Sequence, residues 1–171
     1  NGRRFNFTVD ERVKNKLMNL NKGLLFERFG KSIVFEENLS KYNWFKLGGP
    51  AEIFFRPKGV EQLNQFLKIC KKEKIKMHTL GAGSNTLFRD AGIQGAVIKL
   101  GSSFSYVQLL DKDIIEVGAA TFDKKVSEFA KENCISSMEF LSCIPGSIGG
   151  AVTMNSGCYN DDISKILLSI K

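Results

Sequence analysis

Two clusters of small residues carry whatever chemistry this chain performs. Gly81-Ala82-Gly83-Ser84-Asn85 and, further along, Ile144-Pro145-Gly146-Ser147-Ile148-Gly149-Gly150-Ala151 each follow an apolar run and each include a hydroxyl or amide side chain. Glycine removes the Cβ that would hold a ligand away, and successive peptide N–H groups form a concave nest for an anion. Pro145 fixes one φ in the second cluster. Ser147 is placed to cap a short helix through Val152 to Met154, whose start favours phosphate or another electron-rich edge. Singly, the first cluster also reads as an ordinary turn and the second as a tight crossing of backbones. Together they predict one nucleotide cofactor held from two sides.

Several more familiar chemistries fail on spacing. The dinucleotide fingerprint GxGxxG would need glycine at Thr86 and a long helix opening over Leu87-Phe88-Arg89-Asp90, so a Rossmann site is disfavoured. No Gly-Lys-Ser/Thr follows at the P-loop spacing. Cys70, Cys134, Cys143 and Cys158 contain no CxxC pair, and His78 alone cannot complete a zinc site, so no metal is expected. The cysteines read as reduced packing residues, with Cys143 and Cys158 as small fillers flanking the second cluster. His78 reads as a core or edge residue of a strand. Glu139, Asp161 and Asp162 have no fixed separation and do not establish an acid-base pair. Tyr159, just beyond Asn155-Ser156-Gly157, is placed to reach a ligand, whereas Trp44 and Phe45 read as cover for the core.

The elements that must position these clusters follow from periodicity. Val13, Leu17, Leu20 and Leu24 predict a capped amphipathic helix over residues 8–26, closed near Gly30. Residues 33–45 read as irregular, and Gly48-Gly49-Pro50 turns into a strand over 51–56. Val60, Leu63, Phe66, Leu67 and Cys70 form one face of a helix, with a strand at 77–80 leading into the first glycine loop. Short strands at 96–100 and 114–117 precede a helix over 122–132 that turns Val126, Phe129 and Ala130 inward. Residues 134–144 read as partly strand-like, and 163–170 as a final apolar strand after which the chain is expected to continue.

A chain of 171 residues with 43% hydrophobic residues can bury one substantial core or two small lobes sharing a ligand. No run is apolar and long enough for a membrane span, and the first residues are too polar for a signal peptide, so a soluble, cytoplasmic protein is expected. The net charge of +7 is uneven: residues 1–76 hold 17 Lys+Arg against 8 Asp+Glu, and residues 77–171 hold 8 against 10. Lysines from Lys68 to Lys76 fit the solvated end of a helix. A basic nucleic-acid module would use that charge, but it lacks interleaved aromatic residues, and no nucleic-acid partner is expected.

Phe45-Lys46-Leu47-Gly48-Gly49-Pro50-Ala51, Gly81-Ala82-Gly83-Ser84-Asn85, and Ile144 to Val152 with Met154-Asn155, Gly157 and Tyr159 match a known pattern in order and spacing. In these residues the chain resembles the UDP-N-acetylmuramate dehydrogenase family, the bacterial UDP-N-acetylenolpyruvoylglucosamine reductases, over roughly residues 33–171. The resemblance implies an α+β FAD-binding domain of the vanillyl-alcohol-oxidase (PCMH) type, two lobes clasping the flavin, preceded by an N-terminal helical extension at 1–32. It implies non-covalent FAD, with Gly81, Ala82, Gly83, Ser84 and Asn85 on the pyrophosphate through backbone amides. Pro145, Gly146, Ser147, Gly149 and Gly150 would line the diphosphate and flavin side. Gly118 and Ala119, with Ala120, would approach the ribityl chain or isoalloxazine, and Tyr159 the substrate.

The family reduces FAD with NADPH and passes a hydride to the enolpyruvyl group of a UDP-sugar in peptidoglycan synthesis, implying a monomeric enzyme with a small-molecule partner. Its proton-donating serine or cysteine, enolate-stabilising arginine and glutamate lie in segments expected downstream of Lys171, so no catalytic residue is assigned in this chain. Thr86, Cys158 and Asn160 stand where relatives usually carry Leu, Ala and Gly. The runner-up is an oxygen-linked alcohol oxidase of the same superfamily. Such enzymes often hold FAD covalently through His or Cys, and His78 is poorly placed for that.

Overall fold

Ile53-Phe54-Phe55 is deeply buried, and it sits in a strand covered on both faces. A computed structural model describes residues 22–171. Most of the expected helix over residues 8–26 therefore falls outside the described residues; a helix over residues 22–29 (α1) is present, and Gly30 turns the chain away from it with φ +52°. Four strands follow in one sheet: β1 (Ile33–Asn38), β2 (Pro50–Phe55), β3 (Met77–Thr79) and β4 (Ile93–Ile98), ordered β1-β2-β4-β3. β1 runs antiparallel to β2, and β2 and β3 both run parallel to β4. A parallel return needs a crossover, which α2 (Val60–Lys72) supplies between β2 and β3.

Each sheet face has its own core. On one, Phe55 stacks on Phe66 of α2 with ring centroids 3.9 Å apart, and Phe29 of α1 meets both edge-on at 5.2 and 5.5 Å. Ile33, Ile53, Ala96 and Ile98 complete it. On the other, Leu39, Phe54, Leu80, Phe88 and Val97 pack together, and Tyr42 stacks on Phe54 at 4.5 Å. The β2 to β4 register slips between Ala51 and Ile53, where Gly95 takes φ +94° and donates its N–H to the Glu52 carboxylate at 2.7 Å.

The rest of the chain builds a second lobe. The hairpin β5 (Val107–Asp111) and β6 (Ile114–Val117) leads into α3 (Asp123–Glu132), a 3-10 turn at Glu139–Cys143, and α4 (Ile148–Met154). The chain then makes a small hairpin of β7 (Gly157–Cys158) and β8 (Asp161–Asp162). Val126, Phe140, Leu141, Ala151 and Ile163 form this lobe's core. α4 ends at Asn155 in the left-handed region, and Tyr159 and Asn160, with φ of 53° and 68°, make the two-residue hairpin turn.

The expected α+β class and two-lobed arrangement are present, with six local corrections. Residues 33–38 are a strand rather than irregular, and 107–111 form a strand that periodicity did not predict. Residues 134–144 contain a 3-10 turn and no strand, because 139–143 coil to seat Phe140 and Leu141 in the core. The run at 163–170 is a 3-10 turn followed by irregular chain: Asp162 accepts from the Ser164 N–H and hydroxyl, which favours a turn. Trp44 and Phe45 do not cover the core but stand exposed. Of the cysteines only Cys70 is buried, while Cys134 and Cys143 are exposed and Cys158 is half-buried, so the packing role holds for Cys70 and in part for Cys158.

Candidate functional site

β3 delivers Gly81 to the end of the sheet, and the loop after it closes against both lobes. On the first-lobe side Gly83 takes φ +78°, and a Cβ there would stand 2.0 Å from the Tyr42 carbonyl oxygen. The Gly83 carbonyl accepts from the Trp44 N–H at 3.1 Å. On the second-lobe side a Cβ on Gly81 would meet the Ser147 hydroxyl at 2.8 Å and the Gly150 Cα at 3.8 Å. The two glycine clusters that stand far apart in sequence are thus in direct apposition. Glycine is required at Gly83 for close approach and for backbone conformation, whereas a side chain at Gly81 would have to displace the Ser147 hydroxyl.

The third predicted segment joins them. The N–H of Gly149 donates to Ala119 O and that of Ile148 to Thr121 O, both at 2.9 Å. Gly118 and Ala120 in turn donate to the carbonyls of Tyr106 and Phe104, each at 2.9 Å. Phe122 pairs with Ser147 in an isolated antiparallel bridge, and Asp123 donates its N–H to Gly146 O at 3.2 Å. Gly118, Ala119, Ser147 and Gly149 are therefore knit into one wall. The N–H groups of Ala82, Gly83, Ser84, Asn85 and Gly150 donate to no acceptor among the described residues. Unbonded amides on a glycine loop are the donor set for a pyrophosphate.

Three residues of the site escaped the sequence reading. Lys99, just past β4, donates its ammonium to the Gly81 carbonyl. Its pKa is lowered, chiefly by burial and further by the nearby Arg56 guanidinium. The lone lysine in the apolar run Ala96 to Leu100 was the available signal, but its partner is set by tertiary structure. Thr121 is fully buried and donates its hydroxyl to Tyr106 O at 2.9 Å, pinning the Gly118 turn. Asp123, in the first turn of α3, is also fully buried, and neither carboxylate oxygen has a hydrogen-bond partner among the described residues. Its Oδ2 occupies the space a Gly146 Cβ would need, 2.4 Å away, and burial pushes its pKa up to about 7.

Gly81 to Asn85, Gly118, Ala119 and the Pro145 to Gly150 segment are brought together as expected. Tyr159 is 82% exposed at the β7–β8 turn, with no hydrogen bond of its hydroxyl among the described residues. His78 lies on the edge strand β3 with its side chain exposed.

Residues 51–171 match the FAD binding domain family. The chain belongs to it. UDP-N-acetylenolpyruvoylglucosamine reductase of Pelagibacter ubique (strain HTCC1062) is 49% identical over 139 residues, covering 81% of this chain and 46% of that protein. The enzyme of the same name from Rickettsia massiliae (strain Mtu5) is 46% identical over 134 residues, covering 78% and 45%. The crystal structure of UDP-N-acetylenolpyruvylglucosamine reductase (MurB) from Thermus caldophilus aligns with a TM-score of 0.59 and 31% identity, over 76% of this chain and 44% of that one. The chain spans about half the length of these relatives. The α+β architecture agrees with the FAD-binding-domain match and with the aligned MurB structure, and the resemblance read from the glycine clusters stands.

Proposed function

We propose that this chain is the FAD-binding part of a UDP-N-acetylenolpyruvoylglucosamine reductase, an NADPH-dependent flavoenzyme of peptidoglycan synthesis. The observation that carries the proposal is the apposition of Gly81 with Ser147 and Gly150 beside a loop of unbonded amides. A dinucleotide's pyrophosphate fits such a cradle: it needs several N–H donors, close backbone approach and positive charge nearby. Ala82 to Asn85 supply the first two, and Lys99, turned onto the Gly81 carbonyl, supplies the third and fixes the loop.

Within this reading residues 33–171 form the FAD-binding domain and 1–32 an extension before it. FAD, bound non-covalently, supplies hydride-transfer chemistry. This chain's own residues bind and orient. Gly81, Ala82, Gly83, Ser84 and Asn85 hold the pyrophosphate. Pro145, Gly146, Ser147, Gly149 and Gly150, with Gly118 and Ala119, form the opposite wall and exclude water from it. Tyr159, exposed at its hairpin tip, is free to meet the UDP-sugar. No proton donor is assigned among them. The protein is proposed to act in the cytoplasm as a monomer.

Titration of the chain with FAD, followed by flavin absorbance and Trp44 emission, tests the reading. Trp44 is the sole tryptophan, and its backbone is bonded to Gly83. Saturable quenching that is lost in Gly81→Val is expected. Absence of binding at any FAD concentration, with the fold intact by circular dichroism, sinks the proposal.

A further inference from the structure

Two cysteines from separate elements meet at the approach to the second glycine segment. Cys143 ends the 3-10 turn at Glu139–Cys143, directly before Ile144-Pro145-Gly146, and Cys158 ends β7, directly before Tyr159. The turn and β7 pack on one another, and Ile144 and Cys158 lean on the same core. That packing sets Cys143 and Cys158 at the ends of two neighbouring elements. The Cys158 pKa is raised, first by burial and then by the charge and a side-chain hydrogen bond of Cys143. Cys143 is exposed, and its sulfur lies 3.7 Å from the Ser142 hydroxyl.

The other two cysteines lack this setting. Cys70 is fully buried in the first-lobe core, with its thiol pushed up to about 11 by burial, and Cys134 is exposed on the turn that ends α3. An accessible thiol beside a half-buried one is the arrangement of an attacking and a resolving cysteine.

We propose that Cys143 and Cys158 are a redox-modification site, converted to a disulfide by a low-molecular-weight disulfide such as oxidised glutathione. The Cys143 thiolate attacks one sulfur of the reagent, forming a mixed disulfide and releasing one thiol. The Cys158 thiolate then attacks the Cys143 sulfur, forming the Cys143–Cys158 bond and releasing the second thiol. The protein loses two protons and two electrons, and the reagent gains both. With its raised pKa, Cys158 makes the second step slower, and that step accelerates as pH rises. The product ties the hairpin bearing Tyr159 to the start of the second glycine segment.

The site is read without cofactor, so its test is independent of the FAD proposal. The intact chain is incubated with oxidised glutathione at pH 8, blocked with iodoacetamide and digested without reductant. The expected result is one cross-linked peptide pair containing Cys143 and Cys158, which dithiothreitol separates. In Cys158→Ala, glutathione should instead remain on Cys143, and in Cys143→Ser neither product should form. Glutathione persisting on Cys143 in the wild type, a cross-link through Cys134 or Cys70, or no modification of Cys143 would each overturn the proposal.

Discussion

The two lobes are stabilised in different ways. In the first, large aromatic side chains fill both faces of a four-stranded sheet, and Phe54, Phe55 and Phe66 are essentially inaccessible. In the second, a smaller and mainly aliphatic core of Val126, Phe140, Leu141, Ala151 and Ile163 is joined by the close approach of Gly118 to the Phe104 carbonyl, Gly149 to Ala119 and Gly146 to the Asp123 carboxylate. Large apolar groups there, Phe122 and Met154 among them, remain exposed. Side-chain packing contributes free energy through buried area, whereas backbone packing mainly fixes position. The first lobe is accordingly the stable platform, and the second is the wall whose shape matters more than its core.

The contrast breaks most sharply at Phe66. Phe66→Ala removes a ring packed against Phe29 and Phe55 and should cost about 4 kcal/mol in urea unfolding. Leu141→Ala, from the smaller second core, should cost about 2 to 3 kcal/mol. Equal losses would dissolve the distinction between platform and wall.

Next in size are the glycines. Gly83→Ala places a Cβ 2.0 Å from a backbone oxygen at φ +78°, where neither partner can yield cheaply. It should cost about 3 kcal/mol and weaken FAD binding at least tenfold, about 1.4 kcal/mol or more. Gly149→Ala meets Ala119 at 3.0 to 3.1 Å and needs only a small shift. In α4 it also gains helix propensity, so its stability should stay within about 1 kcal/mol of wild type. Calorimetry with and without FAD separates the two variants. A Gly149→Ala protein as damaged as Gly83→Ala would mean that the wall is as rigid as the platform.

Much of the platform and the placement of the candidate site's glycine segments are legible in the sequence, because helical periodicity and glycine clusters are local signals. The faces of α2 and α3, the short helix after Ser147 and the two glycine segments all emerged that way. What escaped depended on distant partners. β1 hides because Glu36 takes φ 55° and Glu36-Glu37-Asn38 interrupts the apolar alternation. β5 is largely exposed, so it has no buried face to mark it. The 3-10 turn at Glu139–Cys143 is apolar enough to read as a strand, and only its contacts show otherwise. Lys99 and Asp123 look like surface charges in the sequence. Their roles arise only when Gly81 and Gly146 come to lie against them.

Asp123 gives the wall a pH dependence that reaches neutrality. Its carboxyl, fully buried and without a hydrogen-bond partner among the described residues, is pushed up by burial to about 7 in the folded state, against about 3.9 for an unperturbed aspartate. The folded state therefore holds the proton more tightly than the unfolded state. The stabilisation is complete below about pH 4 and is lost as pH rises toward 7, with a slope of at most about 1.4 kcal/mol per pH unit. Asp123→Asn should remove that slope and be the more stable protein above pH 7, by about 2 kcal/mol. Parallel stability curves for wild type and variant between pH 4 and 8 would show that water or a partner reaches the carboxyl.

The smallest effect is expected at the hairpin tip. Tyr159 sits at φ 53°, a conformation that is costly for a bulky residue, and its 82% exposure leaves little packing to offset that cost. Asparagine is favoured at this turn position because its short amide tolerates the left-handed region. Tyr159→Asn should therefore raise stability by about 0.5 kcal/mol, measured by thermal unfolding, without changing FAD affinity. A strained, exposed aromatic that weakens the fold is readily understood if the ring serves a ligand, as proposed for the UDP-sugar. If the substitution instead destabilises the chain, the ring packs in solution and Tyr159 belongs to the wall's structure rather than to its binding surface.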